Sequence, residues 1–329
     1  MRPSASLPRL AGAVLSLLFL QLSWQPAVVA QEPYPTRPIQ VVIPFPPGGA
    51  LDLGIRILQP LLSSHLGVPL VLVNRPGAGG MVGLDAVYKA PADGYTVAAT
   101  STSTLTVVPV TASKMPYKIS DFVPVGNYAV DASVIVVHAD APWKTYEELI
   151  EYARQNPSKL TYGSPGVGTL SSLNMESLKF AYGIQIEQIP FPGTPQVRTA
   201  LLGKHVDLGV MSFSGVASQL KAGTLRALIS SASKRLTDFP NVPTLSEKGA
   251  PQAQLNLDLG LYVRSGTPPH IVDTLAKALE AAAKDASAAE GLRKVGMLAQ
   301  YQNGQRVQEQ IDAEYRSSME LGRKLKLIK

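Results

Sequence analysis

There is no cysteine among the 329 residues. That excludes disulfide frameworks, Cys-ligated zinc, iron–sulfur clusters and cysteine nucleophiles together. Charge is sparse too, at 16% against 45% hydrophobic residues, which excludes a disordered or acidic solvating segment. The four histidines, His65, His138, His205 and His270, are scattered without metal-ligand spacing. They read as surface or helix-end groups, and no metal site is expected. No Gly-x-Ser-x-Gly elbow exists, since Gly163-Ser164-Pro165-Gly166 misses it, and no Gly-Lys-Ser/Thr closes a glycine loop. Gly77–Gly83 resembles a dinucleotide turn, but its last glycine comes one place late. It reads as a tight strand-to-helix turn, and no cofactor is expected. The net charge of +6 is mild and forms no basic cluster, so nucleic acid is not an expected partner.

Arg2 and Arg9 form a basic segment, followed by a run from Leu10 to Leu22 that is apolar apart from Ser16 and Gln21. Val28-Val29-Ala30 suits cleavage before Gln31, so residues 1–30 read as a secretory signal peptide. An uncleaved signal anchor is the rival reading, disfavoured because the apolar core is short for a membrane span. Removing residues 1–30 takes away two Arg and no acid, lowering +6 to +4. The rest holds no apolar run of about 18 residues. An exported chain without cysteine suits a bacterial periplasm.

Gly and Pro, 27 each, punctuate a chain in which strands and helices alternate. Strands are expected at Ile39–Phe45, Val68–Val73, Tyr95–Thr100, Ser133–His138, Leu160–Gly163, Val206–Val210 and Leu225–Ser230. Leu51, Ile55, Leu58 and Leu62 recur at helix spacing, with Pro60 expected to kink or shorten that helix. Thr145–Gln155 reads as a helix, and from Pro268 two faces appear: Ile271, Leu275 and Leu279, then Val307, Ile311, Tyr315 and Met319. Such alternation predicts an α/β fold with mostly parallel sheets.

Three loops have the composition of an anion site. Gly48-Gly49-Ala50-Leu51-Asp52 opens the first helix. Gly163-Ser164-Pro165-Gly166-Val167-Gly168-Thr169-Leu170-Ser171 leads from a strand to a helix, and Phe191-Pro192-Gly193-Thr194-Pro195-Gln196 precedes another. Glycines admit close backbone approach, helix starts offer free N–H groups, and Thr169, Ser171 and Thr194 add hydroxyls. A carboxylate could be held there without arginine. Each loop alone is equally well explained by turning and capping; together, at carboxyl ends of strands, they mark a site.

The same residues carry a family resemblance. Tyr34-Pro35-Thr36-Arg37-Pro38-Ile39, then Val42-Ile43-Pro44-Phe45-Pro46-Pro47-Gly48-Gly49 with Asp52 and Arg56, resembles the extracytoplasmic solute receptors of tripartite tricarboxylate transporters, the Bug proteins. So do Val73-Asn74-Arg75-Pro76-Gly77-Ala78-Gly79-Gly80, Asp93-Gly94-Tyr95-Thr96, Val206-Asp207, Lys221–Ala227 and Asp238–Thr244, in order through the mature chain. The resemblance implies a two-lobed periplasmic-binding-protein fold, type II-like, each lobe a mostly parallel sheet flanked by helices. Residues 31–127 and 231–329 would form lobe 1 and residues 128–230 lobe 2. It implies one ligand carboxylate gripped by Gly48, Gly49 and Asp52 and by Ser164, Gly166, Gly168, Thr169 and Ser171, with Gly193, Thr194, Asp207 and Asp258 completing the site. A monomer that captures a mono- or dicarboxylate, an aromatic one included, and delivers it to membrane permease subunits follows.

The chain departs from the family pattern at Pro47, at Ala50–Leu51, at Ser172 and at Leu257-Asp258-Leu259. Asp258 is either a solvated rim carboxylate or a group in the distal pocket that repels a second ligand carboxylate. Two other function classes share the features: a periplasmic sensor of the same fold, and a hydrolase, for which no nucleophile–base pair is visible.

Overall fold

The computed structural model describes residues 33–251 and 255–328. The expected signal peptide lies outside the described residues. β1 (Ile39–Ile43) runs into α1 (Ala50–Leu66), β2 (Leu70–Asn74) into α2 (Met81–Lys89), and β3 (Thr96–Ser101) into the short α3 (Thr102–Thr106) and α4 (Val108–Thr111). β4 (Phe122–Asp131) leads directly into β5 (Ser133–His138), followed by α5 (Tyr146–Gln155), β6 (Thr161–Ser164) and α6 (Leu170–Tyr182). Next come β7 (Glu187–Pro190), α7 (Thr194–Leu202), β8 (Leu208–Ser212), α8 (Ala217–Lys221) and β9 (Leu225–Ser230). β10 (Leu257–Arg264), α9 (Pro269–Lys284), α10 (Ala286–Lys294), β11 (Leu298–Asn303) and α11 (Gly304–Lys324) complete the order.

Two mixed sheets result: a six-stranded one in the order β11-β4-β10-β3-β1-β2 and a five-stranded one in the order β7-β6-β8-β5-β9. β1 pairs in parallel with β2 and β3, and β6 with β7 and β8, as strand–helix–strand units require. β10, β11 and β5 run against their neighbours. β5 and β10 are the strands by which the chain enters each sheet from the other, so no local crossover helix fixes their direction.

The passages between sheets fall elsewhere than at residues 127 and 231. Asn127 pairs with Gly260 inside the six-stranded sheet, and the chain leaves that sheet at Ala132. After Ser231 it remains with the five-stranded sheet, because Leu245 and Ala250 are buried in that sheet's core with Ile135, Tyr162 and Val210. Ser231 ties the two passages together: its N–H donates to the Ser133 carbonyl at 2.8 Å, Ser133 N–H donates to its hydroxyl at 2.9 Å, and that hydroxyl donates to Asn256 Oδ1, just before β10, at 3.0 Å.

Leu51, Ile55, Leu58 and Leu62 are buried as their spacing predicts. Pro60 does not end α1, which continues to Leu66 and stops at Gly67 in the left-handed conformation (φ 70°). Pro60 is exposed, so its ring disturbs the helix on the solvent side, where water can satisfy the freed carbonyl. Val42, Leu84, Leu105 and Tyr262 centre the core of the first lobe.

Candidate functional site

The strands end where the lobes face each other. Pro46 to Leu51 (after β1), Ser101 to Thr104 (after β3), Pro165 to Ser171 (after β6), Thr194 (after β7) and Ser212 (ending β8) all stand at carboxyl ends of strands. Together they enclose a cavity of about 50 Å³ that Phe45, Val108 and Leu257 close with apolar surface. That volume holds a few water-sized groups, one needing roughly 10–15 Å³.

No charged side chain lines this cavity. Its polar surface consists of hydroxyls and helix starts. The starts of α1 and α7 have no side-chain cap, leaving first-turn N–H groups for another acceptor. Thr169 caps α6 by accepting from Ser172 N–H, and its hydroxyl donates to the Gly166 carbonyl at 2.9 Å. Thr194 and Ser212 share a hydrogen bond of 3.3 Å, and Ser101 lies 3.0 Å from Ser103 and 2.9 Å from Thr104. Neutral donors and three partial positive helix ends suit an anion without a cationic side chain.

The lobes approach closely around it. A Cβ on Gly193 would meet Pro46 Cδ at 2.6 Å, so only glycine admits that contact. Gly168 has φ +71°, and a Cβ there would meet Thr111 Oγ1 at 2.0 Å.

Of the residues expected to bind, Gly49, Thr169, Ser171 and Thr194 line the cavity. Gly48, Gly166, Gly168 and Gly193 shape the turns beside it. Asp52 does not face in. Its carboxylate accepts Gly48 N–H at 2.9 Å, Arg56 Nε–H at 2.9 Å and Asn74 Nδ2–H at 3.0 Å. Burial pushes the carboxyl up, but these donors outweigh it and hold its pKa below the usual value. Asp52 therefore fixes the Gly48 turn from behind. Ser164 turns away as well, donating to the Gly166 carbonyl and accepting from Gln188 at 2.6 Å.

Two expected residues are elsewhere. Asp207 accepts the N–H and hydroxyl of Thr161, tying the starts of β6 and β8 at the ends opposite the cavity. Asp258 lines a separate cavity with Glu314 and accepts Gln310 Nε2–H at 2.8 Å. Successive strand side chains take opposite faces, so Leu257 enters the first cavity and Asp258 cannot. Asp258 is half-buried on that second cavity, where desolvation pushes its carboxyl up to about 6.

Sequence reading missed Ser101, Ser103, Thr104 and Ser212. The run Thr100-Ser101-Thr102-Ser103-Thr104 was the available signal, since clustered hydroxyls at a strand end cap helices or bind ligands. Among the described residues, no cluster of His, Cys, Asp or Glu could hold a metal, and no helix is long and apolar enough to cross a membrane.

Known proteins share this architecture. The family model described as "Tripartite tricarboxylate transporter family receptor" matches residues 55–327. A Cupriavidus necator protein named "UPF0065 protein in gbd 5'region" is 36% identical over 302 residues, 90% of this chain and 89% of its own. The structure of periplasmic binding protein BugD superposes with TM-score 0.85 at 29% identity, covering 90% of this chain and 99% of that one. An R. palustris protein solved with adipate gives TM-score 0.85 at 28% identity, covering 89% and 98%.

Proposed function

The chain belongs to the tripartite tricarboxylate transporter receptor family, a family of periplasmic solute-binding proteins, and from that premise we propose that its cavity captures a small organic carboxylate and presents it to membrane permease subunits. The observation that carries this reading is the enclosed cavity walled by both lobes, lined with hydroxyls and uncapped helix starts and free of charged side chains. A carboxylate needs several donors and no proton transfer to stay bound, which those groups supply. The adipate in a 28% identical relative of the same fold supports the ligand class.

Gly49, Ala50, Thr169, Ser171 and Thr194 are the proposed contacts, with Asp52 holding the first turn. Residues 1–30 are proposed to direct export and be removed, leaving the protein in the periplasm. The lobes are proposed to swing about the passages at Ala132 and Asn256, which Ser231 ties together, burying the ligand as they close.

A thermal-denaturation screen of acetate, propionate, malate, succinate, adipate and benzoate tests the reading. A true ligand at 100 times its Kd stabilises the protein by about 2.7 kcal/mol. If no carboxylate raises the melting temperature while the folded protein binds another class of solute, the reading is wrong.

A further inference from the structure

Asp131 is the last residue of β4, at the point where the chain leaves the first lobe, and it is 1% exposed. Its carboxylate reaches into the other lobe. Oδ2 accepts the Ser214 hydroxyl at 2.5 Å and Oδ1 the Ser214 N–H at 3.3 Å. Ser214 stands in the short loop after β8, between two groups that shape the cavity. Ser212 lines the cavity and bonds Thr194, the first residue of α7. Gly215 packs so tightly on Thr194 that a Cβ would meet Thr194 Cγ2 at 2.3 Å, and its carbonyl accepts Arg198 of α7 at 2.6 Å. Asp131 also pairs across the sheet with Leu257, which closes the cavity. Asp131 thus holds the loop that follows Ser212 through its carboxylate and the strand bearing Leu257 through its backbone.

We propose that Asp131 is a positioning residue of the ligand site, setting Ser212 and the α7 start through Ser214, and that its ionisation state makes ligand affinity depend on pH. The proposal rests on the receptor reading for its ligand and deepens it. Among the described residues, no cationic side chain pairs with Asp131. Arg198 on α7 turns to the Gly215 carbonyl, and Asp258 on β10 points to the opposite strand face toward Gln310. Arg264 and His138 lie at the far ends of β10 and β5, and Tyr128 on β4 is three residues away. Burial pushes the Asp131 carboxyl up to about 7, against the pull of Ser214 and of the Ala132 N–H. Ionised, it accepts both Ser214 bonds. Protonated, it keeps its better acceptor on one oxygen only, and the loop is held less tightly. Affinity therefore falls as pH drops through about 7, a range in which carboxylate ligands stay ionised.

The experiment compares the full chain with Asp131→Asn, Ser214→Ala and the double variant, using malate and adipate as probes from pH 6 to 8.5. The parent is expected to bind about three- to tenfold more weakly at pH 6 than at pH 8.5, the size of one net hydrogen bond. Asp131→Asn should bind at the weaker level at every pH, and Ser214→Ala should add nothing to it in the double variant. Tighter binding by Asp131→Asn, as direct repulsion between two anions would produce, overturns the proposal. Amide exchange supplies a second readout that needs no ligand. Asp131→Asn should speed exchange at residues 212–215 and at the start of α7, relative to β6. Unchanged exchange there overturns the positioning role even if neither probe binds. A parent that binds neither probe, with altered exchange in Asp131→Asn, counts against the receptor reading alone.

Discussion

At the scale of single residues, the carboxylates divide by environment. Asp52 is surrounded by donors and stays ionised, while Asp258 and Glu314 stand half-buried on the second cavity. Burial raises Glu314 to about 7, assisted by the nearby Asp258 charge and opposed by the Thr106 hydroxyl. Both carboxyls thus bind a proton more tightly folded than unfolded, where carboxyls titrate near 4. Their stabilising contribution is complete below that unfolded value. It is lost as pH rises, through about 6 for Asp258 and about 7 for Glu314. Denaturant unfolding between pH 4 and 8 should therefore show the parent losing stability relative to Asp258→Asn/Glu314→Gln. The difference should be at most about 6 kcal/mol, the two raised carboxyls together spanning more than four pKa units at about 1.4 kcal/mol each. Parallel curves for the two proteins would mean that neither group titrates as its burial implies.

At the scale of elements, helix starts form the proposed grip, and α6 is where capping and the cavity lining meet. Thr169 closes the Gly166 turn with its hydroxyl and caps Ser172 with the same oxygen. Thr169→Ala should cost about 1 kcal/mol of stability, as for other N-caps. It should also weaken carboxylate binding by about two- to tenfold in calorimetric titration, the effect of one net hydrogen bond. Gly168→Val should abolish binding, because the residue has φ +71° and its side chain would displace Thr111 on the facing lobe. Circular dichroism separates the outcomes: a folded Gly168→Val protein that binds normally would show that the turn carries no ligand. The expected strands at 133–138 and 225–230 match β5 and β9 residue for residue, since both are continuous apolar runs bounded by turns. β4, β7 and β11 escaped sequence reading. β4 contains Pro124, Gly126 and Asn127, and β11 has an exposed, polar pattern; each is a strand because of distant partners.

At the scale of the whole molecule, the two lobes share a small apolar cluster. Leu170 and Leu173 of α6 pack with Val107, Leu257, Leu321, Leu325 and Leu327. Together with the Gly193–Pro46 and Gly168–Thr111 contacts, this describes lobes already drawn together. Opening them would expose part of that cluster, so the apolar contact favours the closed state that the proposed ligand capture requires. Small-angle scattering should give a smaller radius of gyration with a saturating carboxylate than without. The bound curve should match one calculated from this arrangement. Equal radii in both states, with binding verified in the same sample, would rule out closure as the response to ligand.

Sequence alone determined the strand–helix alternation, the three glycine-bearing helix starts and the family, because each depends on residues close together in the chain. Local spacing decides where a helix begins, and local composition decides where a backbone can turn. Tertiary structure decided which of those residues face the ligand cavity. Gly49, Thr169 and Thr194 do, whereas Asp52 and Ser164 turn back to hold the turns and Asp207 lies at the far end of its strand. The clearest case is Leu257 beside Asp258. Strand side chains alternate with period two, so register alone decides which neighbour enters the cavity. That register is set by pairing with β3 and β4, more than a hundred residues earlier, and no local pattern encodes it.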